Sequence, residues 1–129
     1  MNNAIRTGNA ATTTHEPCRI RSTGEELSLS ADLTAGALRH FVVRHDVLAP
    51  KRRASSSHSH SAREELVFVL RGKLTLSIDG VTQLLVAGDY AAIPASGPHH
   101  FLVNESDEPA EWLTVASNVD GDVVSYASG

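Results

Sequence analysis

The chain has 129 residues, of which 41% are hydrophobic and 20% charged, so it has room for one globular domain with its own core. Its formal net charge of −4 gives no basic field for nucleic acid, and Lys51-Arg52-Arg53 is too short to change that balance. The single cysteine, Cys18, excludes an intramolecular disulfide. The sequence has neither an apolar run long enough to span a membrane nor an apolar leader region, so we expect a cytoplasmic protein.

The first part of the chain differs in composition from the rest. Residues 1–24 are polar and lack apolar periodicity, so they predict a flexible N-terminal arm ahead of a single domain over residues 25–129. Residues 25–38 are ambiguous, and we interpret them as loop or strand. Beyond them no stretch has the helical period of 3.6 residues.

The remaining sequence reads as short strands separated by Gly, Asp and Pro. Strands are predicted over residues 38–48, 65–70, 73–78, 81–86, 90–94, 100–104, 111–116 and 122–126. Asp79-Gly80 is the dipeptide that a two-residue type I′ hairpin favours, because both positions need positive φ. Evenly spaced short strands predict an all-β sandwich or barrel, since closure or layering removes exposed sheet edges.

The strand over residues 65–70 is apolar on both of its faces. One face, with Val67 and Val69, is expected to line the interior, while Leu66, Phe68 and Leu70 face a second layer or another subunit. A homodimer is therefore expected.

The seven histidines are the unusual feature of the composition, and two of them are spaced for a shared ligand. His58 and His60 stand two apart in an extended segment, so both imidazoles project to one face. Glu65 shares the inner face of the next strand, where a bare buried carboxylate is costly unless it is paired or bound to a cation. Nitrogen and oxygen ligands without sulfur suit divalent Fe, Mn, Ni, Cu or Zn and do not choose among them.

The segment around these residues resembles the first motif of the cupin superfamily, HxH, three or four residues, E, six residues, G. His58, His60, Glu65 and Gly72 occupy every fixed position, while Arg52 stands where the family has a glycine before the first histidine. The resemblance, which extends over about residues 38–126, implies a small single-domain cupin with a double-stranded β-helix, or jelly-roll, barrel.

A second segment, residues 88–104, resembles the second cupin motif, G, five residues, PxGxxH, three residues, N. It fits with one extra residue between Pro94 and Gly97, which makes His100 the motif histidine and keeps Asn104. His99 is the alternative, because it has the family's spacing from Pro94. Neighbouring strand residues point to opposite faces, so only one of the two histidines is expected to reach the ion.

The resemblance implies one divalent metal ion bound by His58, His60, Glu65 and His100, with His99 as the alternative fourth ligand. Glu64 is the alternative carboxylate, since the family tolerates the shorter spacing. Its strand face carries Leu66 and Phe68, however, and only Glu65 keeps the six-residue gap to Gly72.

Several functions are compatible with such a site. A metal-dependent enzyme of the dioxygenase type, acting on a small oxygenated organic molecule in the barrel, is our first hypothesis. A non-catalytic small-molecule or metal-binding sensor is the alternative. Isomerase and decarboxylase chemistry are less favoured, because the sequence indicates neither a cluster of Arg and Lys in the interior nor a general base outside the ligands. Catalytic residues are not assigned.

Overall fold

The computed structural model describes residues 5–127, and within them all regular structure is β-strand. In chain order the strands are β1 (Glu16–Arg19), β2 (Glu26–Asp32), β3 (Phe41–Leu48), β4 (Arg52–Arg53), β5 (His58–His60), β6 (Glu65–Arg71), β7 (Lys73–Ile78), β8 (Val81–Val86), β9 (Tyr90–Ile93), β10 (His100–Asn104), β11 (Ala110–Ser117) and β12 (Val124–Tyr126). In the same residues, no helix is long and apolar enough to cross a bilayer.

The strands form two antiparallel sheets, and together they make the predicted double-stranded β-helix. The first sheet has the order β1-β2-β3-β11-β6-β9, and the second has the order β12-β5-β10-β7-β8, with β4 also paired to β10. Sequence neighbours therefore often lie in different sheets. The β6 strand, for example, pairs with β11 and β9 in the first sheet, while β7 pairs with β8 and β10 in the second.

The core lies between the inner faces of the two sheets. Its buried members are Leu48, Val67, Val69, Leu74, Leu76, Leu85, Leu102, Ala110 and Trp112. The predicted alternation of β6 is confirmed, because Val67 and Val69 are buried while Phe68 and Leu70 are exposed. Asp79 and Gly80 both have positive φ, 48° and 82°, as the hairpin between β7 and β8 was expected to require.

The N-terminal segment differs from the sequence-based expectation over residues 1–24. Glu16–Arg19 forms β1 and pairs with β2, so this part of the expected arm belongs to the first sheet. Backbone pairing to an edge strand needs no apolar side chains, which explains why a polar sequence did not signal it. That residues 25–129 form a domain without this segment stays a prediction.

Gly72, between β6 and β7, is the glycine whose replacement is expected to cost most. Its φ is +78°, and a Cβ atom there would lie 2.5 Å from the carbonyl oxygen of Pro109 and 3.0 Å from the Ala110 Cα. We expect Gly72→Ala to lower the free energy of unfolding by about 2–5 kcal/mol, from backbone strain and a clash with main chain. Gly80→Ala is the control, because Gly80 has φ +82° with nothing within 4 Å. It should cost only about 1–2 kcal/mol in urea unfolding. Equal losses in the two variants would contradict the clash.

The outer face of the first sheet is apolar over several strands. Phe68 on β6 pairs with Tyr90 on β9 and with Leu113 on β11, and both Phe68 and Tyr90 are exposed. The homodimer inferred from the sequence stays a prediction, and this face is where we expect the contact. Sedimentation at micromolar concentration should give a dimer for the wild type and a monomer for Phe68→Glu. A monomeric wild type would contradict it.

Candidate metal centre

The two sheets bring the candidate ligands to one end of the barrel interior. In the second sheet β5 lies between β12 and β10, so that His58 is directly opposite His100. Glu65 begins β6 in the first sheet, on the inner face that also carries Val67 and Val69. The imidazole pair and the carboxylate therefore approach each other across the barrel, from strands that belong to different sheets.

The geometry of three of these residues fits a shared cation. One ligand atom from each of His58, Glu65 and His100 can be chosen so that all three lie within 4.8 Å of one another. The His58 ring centroid is 4.9 Å from that of His100 and 5.1 Å from that of His60. His60 joins the group through Glu65, because its Nε2 lies 3.1 Å from Glu65 Oε1.

Each of the three imidazoles has an acceptor at its Nδ1 atom. That acceptor is the Ser56 carbonyl for His58 at 2.8 Å, Asp122 Oδ2 for His60 at 2.6 Å, and the Pro98 carbonyl for His100 at 3.0 Å. Carbonyl and carboxylate oxygens only accept, so each Nδ1 carries the proton and a neutral ring has its Nε2 lone pair free. An acceptor behind the ring is the usual arrangement of metal-binding histidines.

The contact between His60 and Glu65 tests whether the donor set fits an ion. With Nδ1 donating to Asp122, a neutral His60 directs its Nε2 lone pair at a carboxylate oxygen 3.1 Å away. Two electron-rich atoms at that distance are stabilised only by a proton or a cation between them. The residues present therefore fit a divalent metal ion, and they leave its identity open.

Asp122 is a residue that sequence reasoning did not single out. Besides accepting from His60, it accepts from the backbone N–H groups of Ala62 and Arg63 at 2.8 and 2.9 Å. The hydrogen bond from Ala62, followed by that from His60, lowers the pKa of the Asp122 carboxyl to about 2. Asp122 thus stays ionised at any ordinary pH and holds the His60 ring in place.

His100 and His99 occupy different environments, as neighbouring strand residues must. His100 is buried at the cluster, with Leu102 and Asn104 on the same inner face, whereas His99 is half-buried and its Nε2 lies 3.1 Å from Ser125 Oγ. Ser96, in the loop ahead of β10, has a positive φ of 56°, and the placement of the extra residue of the second motif in this loop stays a prediction. Asn104 is fully buried and donates to the Leu48 and Glu108 carbonyls, which fixes the register of the strand. The assignment of His100 as the ligand stays a prediction.

Glu64 and Glu65 also face different surroundings. Glu65 is half-buried beside His60, while Glu64 is exposed and its backbone N–H bonds to Ser117 Oγ. Glu64 lies on an outer groove of about 610 Å³ formed with Phe41, Leu66 and Val115. Glu65 also borders that groove, but His58, His60 and His100 do not, so the size of the groove carries no argument for the metal site.

The candidate ligands line a cavity of about 330 Å³ in the barrel interior. Its charged walls are Arg44, Asp46, Arg63 and Glu65, and Cys18, Val67, Ile93, Phe101, Leu102 and Trp112 contribute to the remainder. Sequence reasoning missed the two arginines, and with them the interior positive charge. The available signal was strand alternation, which puts Arg44 and Asp46 on one face with the buried Leu48.

Asp46 is the second buried carboxyl of the cavity. It lies opposite Ser30 and Trp112, and it accepts a hydrogen bond from Thr114 Oγ1 at 3.1 Å. Burial raises the pKa of Asp46, although Ser30, Thr114 and Arg44 oppose the shift. A carboxyl with a raised pKa can exchange a proton with a ligand, so Asp46 is a candidate general acid or base that the sequence did not indicate.

We expect metal affinity to depend on pH through the histidines. Burial, then the neighbouring His100 and His60, lowers the pKa of His58 below 6.5, so protons compete for it only in more acidic solution. Zinc affinity should be nearly constant above about pH 7 and fall by roughly tenfold or more by about pH 5.5. In the metal-free protein the same lowered pKa means that stability is lost as pH falls below 6.5, because the unfolded chain binds the proton more tightly. Calorimetric titration with zinc at several pH values checks the predicted affinity, and a zinc affinity unchanged between about pH 7 and pH 5.5 would exclude histidine ligation.

Comparison with known proteins places this site in a family. Residues 44–116, more than half of the chain, match the Cupin_2 family of cupin domains. The chain belongs to the cupin family. Cupins commonly bind a metal ion and a small molecule in the barrel, and the matched range includes the four candidate ligands.

Two curated cupin relatives share parts of the chain. Quercetin 2,3-dioxygenase from Bacillus subtilis (strain 168) is 40% identical over 62 residues, which are 48% of this chain and 18% of that protein. Polyketide synthase CurC from Streptomyces cyaneus is 35% identical over 98 residues, which are 76% of this chain and 61% of that protein. The chain thus spans less than two thirds of the length of either relative.

Solved structures agree with the cupin fold. A sugar phosphate isomerase from Silicibacter pomeroyi superposes with a TM-score of 0.75 at 34% identity, over 79% of this chain and 66% of that one. The polyketide cyclase RemF from Streptomyces resistomycificus superposes with a TM-score of 0.82 at 21% identity, over 98% of this chain and 87% of that one. At the latter identity the likeness concerns the fold alone.

Proposed function

We propose that this cupin is a metal-dependent enzyme of the dioxygenase type that acts on a small oxygenated organic molecule. The ion is held by His58, His60, Glu65 and His100. The observation that carries the proposal is the grouping of His58, Glu65 and His100, whose ligand atoms lie within 4.8 Å of one another, with His60 Nε2 3.1 Å from Glu65 Oε1. Each of the three imidazoles also has an acceptor at its Nδ1 atom. The similarity of 62 residues to a quercetin 2,3-dioxygenase supports the choice of chemistry.

The chain's own residues prepare the site for such a reaction. A redox-active ion bound there would supply open coordination positions for substrate oxygens and the electron transfer that dioxygen chemistry requires. Asp122 fixes the His60 ring, so no reorganisation of this ligand is needed. Ile93, Phe101 and Trp112 give the cavity an apolar wall that excludes water and packs against a ring.

Oxygen uptake tests this proposal. Protein reconstituted anaerobically with Fe(II), Mn(II), Ni(II) or Cu(II) is mixed with quercetin or a smaller hydroxylated aromatic, and dissolved oxygen and substrate are followed together. We expect coupled loss of both with at least one of these ions and none with Zn(II) or with the Glu65→Gln variant. Substrate binding without turnover under every ion would favour the alternative, a non-catalytic binding module.

A second candidate is an oxygen-independent enzyme that moves protons on a polyketide-like substrate. Asp46 favours it, because a buried carboxyl with a raised pKa lies in the same cavity as the candidate ligands. The similarity to CurC over 76% of the chain supports it. Conversion of a polyketone by the zinc-loaded protein without oxygen uptake, and its loss in Asp46→Asn, would favour this candidate over the first.

A further inference from the structure

Arg63 has a buried polar atom that forms no hydrogen bond with any other described residue. Its Nε is inaccessible to solvent and has no hydrogen-bond partner among residues 5–127. None of the ion pairs in this part of the chain involves its guanidinium. A buried donor without an acceptor costs free energy, which a ligand with an acceptor would recover.

The position of Arg63 ties it to the metal centre. It lines the cavity together with His58, His60, Glu65 and His100, and its backbone N–H donates to Asp122, which also holds His60. Its side chain is therefore anchored at its base by the residue that orients a candidate ligand.

Charge in the cavity favours an anion. The two arginines and two carboxylates of the lining balance each other, and the ionised Asp122 behind His60 adds one negative charge. A bound divalent cation therefore leaves an excess of about one positive charge. Arg44 has partners of its own, since it donates to Ser30 Oγ at 3.2 Å and lies near Asp32 and Asp46. Arg63 is the arginine left to meet a ligand.

We propose that Arg63 binds an anionic group of the ligand, so that the cavity takes a small organic acid. The carboxylate accepts from the Arg63 guanidinium, and a neighbouring hydroxyl or carbonyl oxygen of the same molecule faces His58, Glu65 and His100. Guanidinium to carboxylate pairing is among the strongest hydrogen bonds available to a protein, and it selects for planar anions. The position of the ligand rests on the proposed metal site, whereas the pairing with Arg63 does not depend on oxygen chemistry.

The test compares a charged with a neutral probe of the same shape. Binding of 2-hydroxybenzoate and of 2-hydroxybenzamide is measured by calorimetry to zinc-loaded and to metal-free protein, for wild type, Arg63→Gln and Arg39→Gln. Arg39 is exposed and outside the cavity, so Arg39→Gln removes the same charge elsewhere on the molecule. Zinc affinity of each variant, measured alongside, shows whether the metal site is intact.

We expect the wild type to prefer the acid, Arg63→Gln to reduce that preference by about tenfold or more, and Arg39→Gln to keep it. No preference in the wild type, no measurable binding of the acid to either form, or full preference in Arg63→Gln would overturn the proposal. Failure to bind zinc would overturn the proposed function instead, and the comparison on the metal-free protein would still decide the role of Arg63. If Arg63→Gln does not fold, the preference of the wild type for the acid and the same comparison with Arg63→Lys decide whether Arg63 binds the anionic group.

Discussion

Replacing His100 with alanine should remove most of the metal affinity, whereas His99→Ala should leave it unchanged. His100 is buried within the cluster of His58 and Glu65, so its loss deletes one nitrogen ligand and leaves an apolar gap. Replacing a residue that only hydrogen-bonds to a metal ligand lowers metal affinity by roughly 10–100-fold, so the loss of a ligand itself should lower it by more than about 100-fold. Zinc binding is measured by competition with a chromophoric chelator.

His99→Ala is the matched control, because it removes the same side chain one residue away. His99 is half-buried and contacts Ser125 rather than the cluster, so the variant should bind zinc as the wild type does. The reverse result, with His99→Ala losing metal and His100→Ala keeping it, would show that the extra residue of the second motif sits inside β10 after all. Every later side chain of that strand would then change faces.

The second large effect is expected for Glu65→Gln. The change keeps the size of the side chain and removes the negative charge that attracts a divalent cation, so zinc affinity should fall by about tenfold to 100-fold. Circular dichroism and urea unfolding of the metal-free variant show whether the fold is retained. Glu65 Oε1 lies 3.1 Å from His60 Nε2, so the unfolding of the metal-free variant also measures what this contact contributes to stability.

Glu64→Gln is the control for this pair, because it removes the same charge from the adjacent, exposed residue. Its affinity for zinc should match that of the wild type. If Glu64→Gln weakens binding and Glu65→Gln does not, the carboxylate role belongs to Glu64 and the shorter motif spacing applies.

The sequence predicts the central strands almost to the residue. Lys73–Ile78, Val81–Val86 and His100–Asn104 match the expected boundaries, because period-two alternation and Gly or Asp turns define their ends locally. The grouping of His58 with Glu65 follows in the same way, since two-residue spacing in a strand and inward alternation are local properties. Family resemblance then adds His100.

Other parts of the site depend on contacts that local patterns do not encode. Asp122 reaches His60 across 62 residues, and Asp46 meets Trp112 only because β3 pairs with β11. His45 is buried on the outer face, where its Nδ1 lies 2.8 Å from His15 Nε2 and its Nε2 lies 3.2 Å from Glu111 Oε1. These positions follow from strand order, which a single sequence does not specify.

The orientation of the His60 ring depends on Asp122, which lies far later in the chain than the candidate metal ligands. Asp122 lies 62 residues after His60, so a chain truncated after the second motif has its imidazoles without the carboxylate that orients one of them. Full affinity for the ion is therefore expected only when β12 is paired with β5 and Asp122 lies beside His60. A chain that stops short of Asp122 should hold zinc more weakly than one that includes it, although both contain His58, His60, Glu65 and His100.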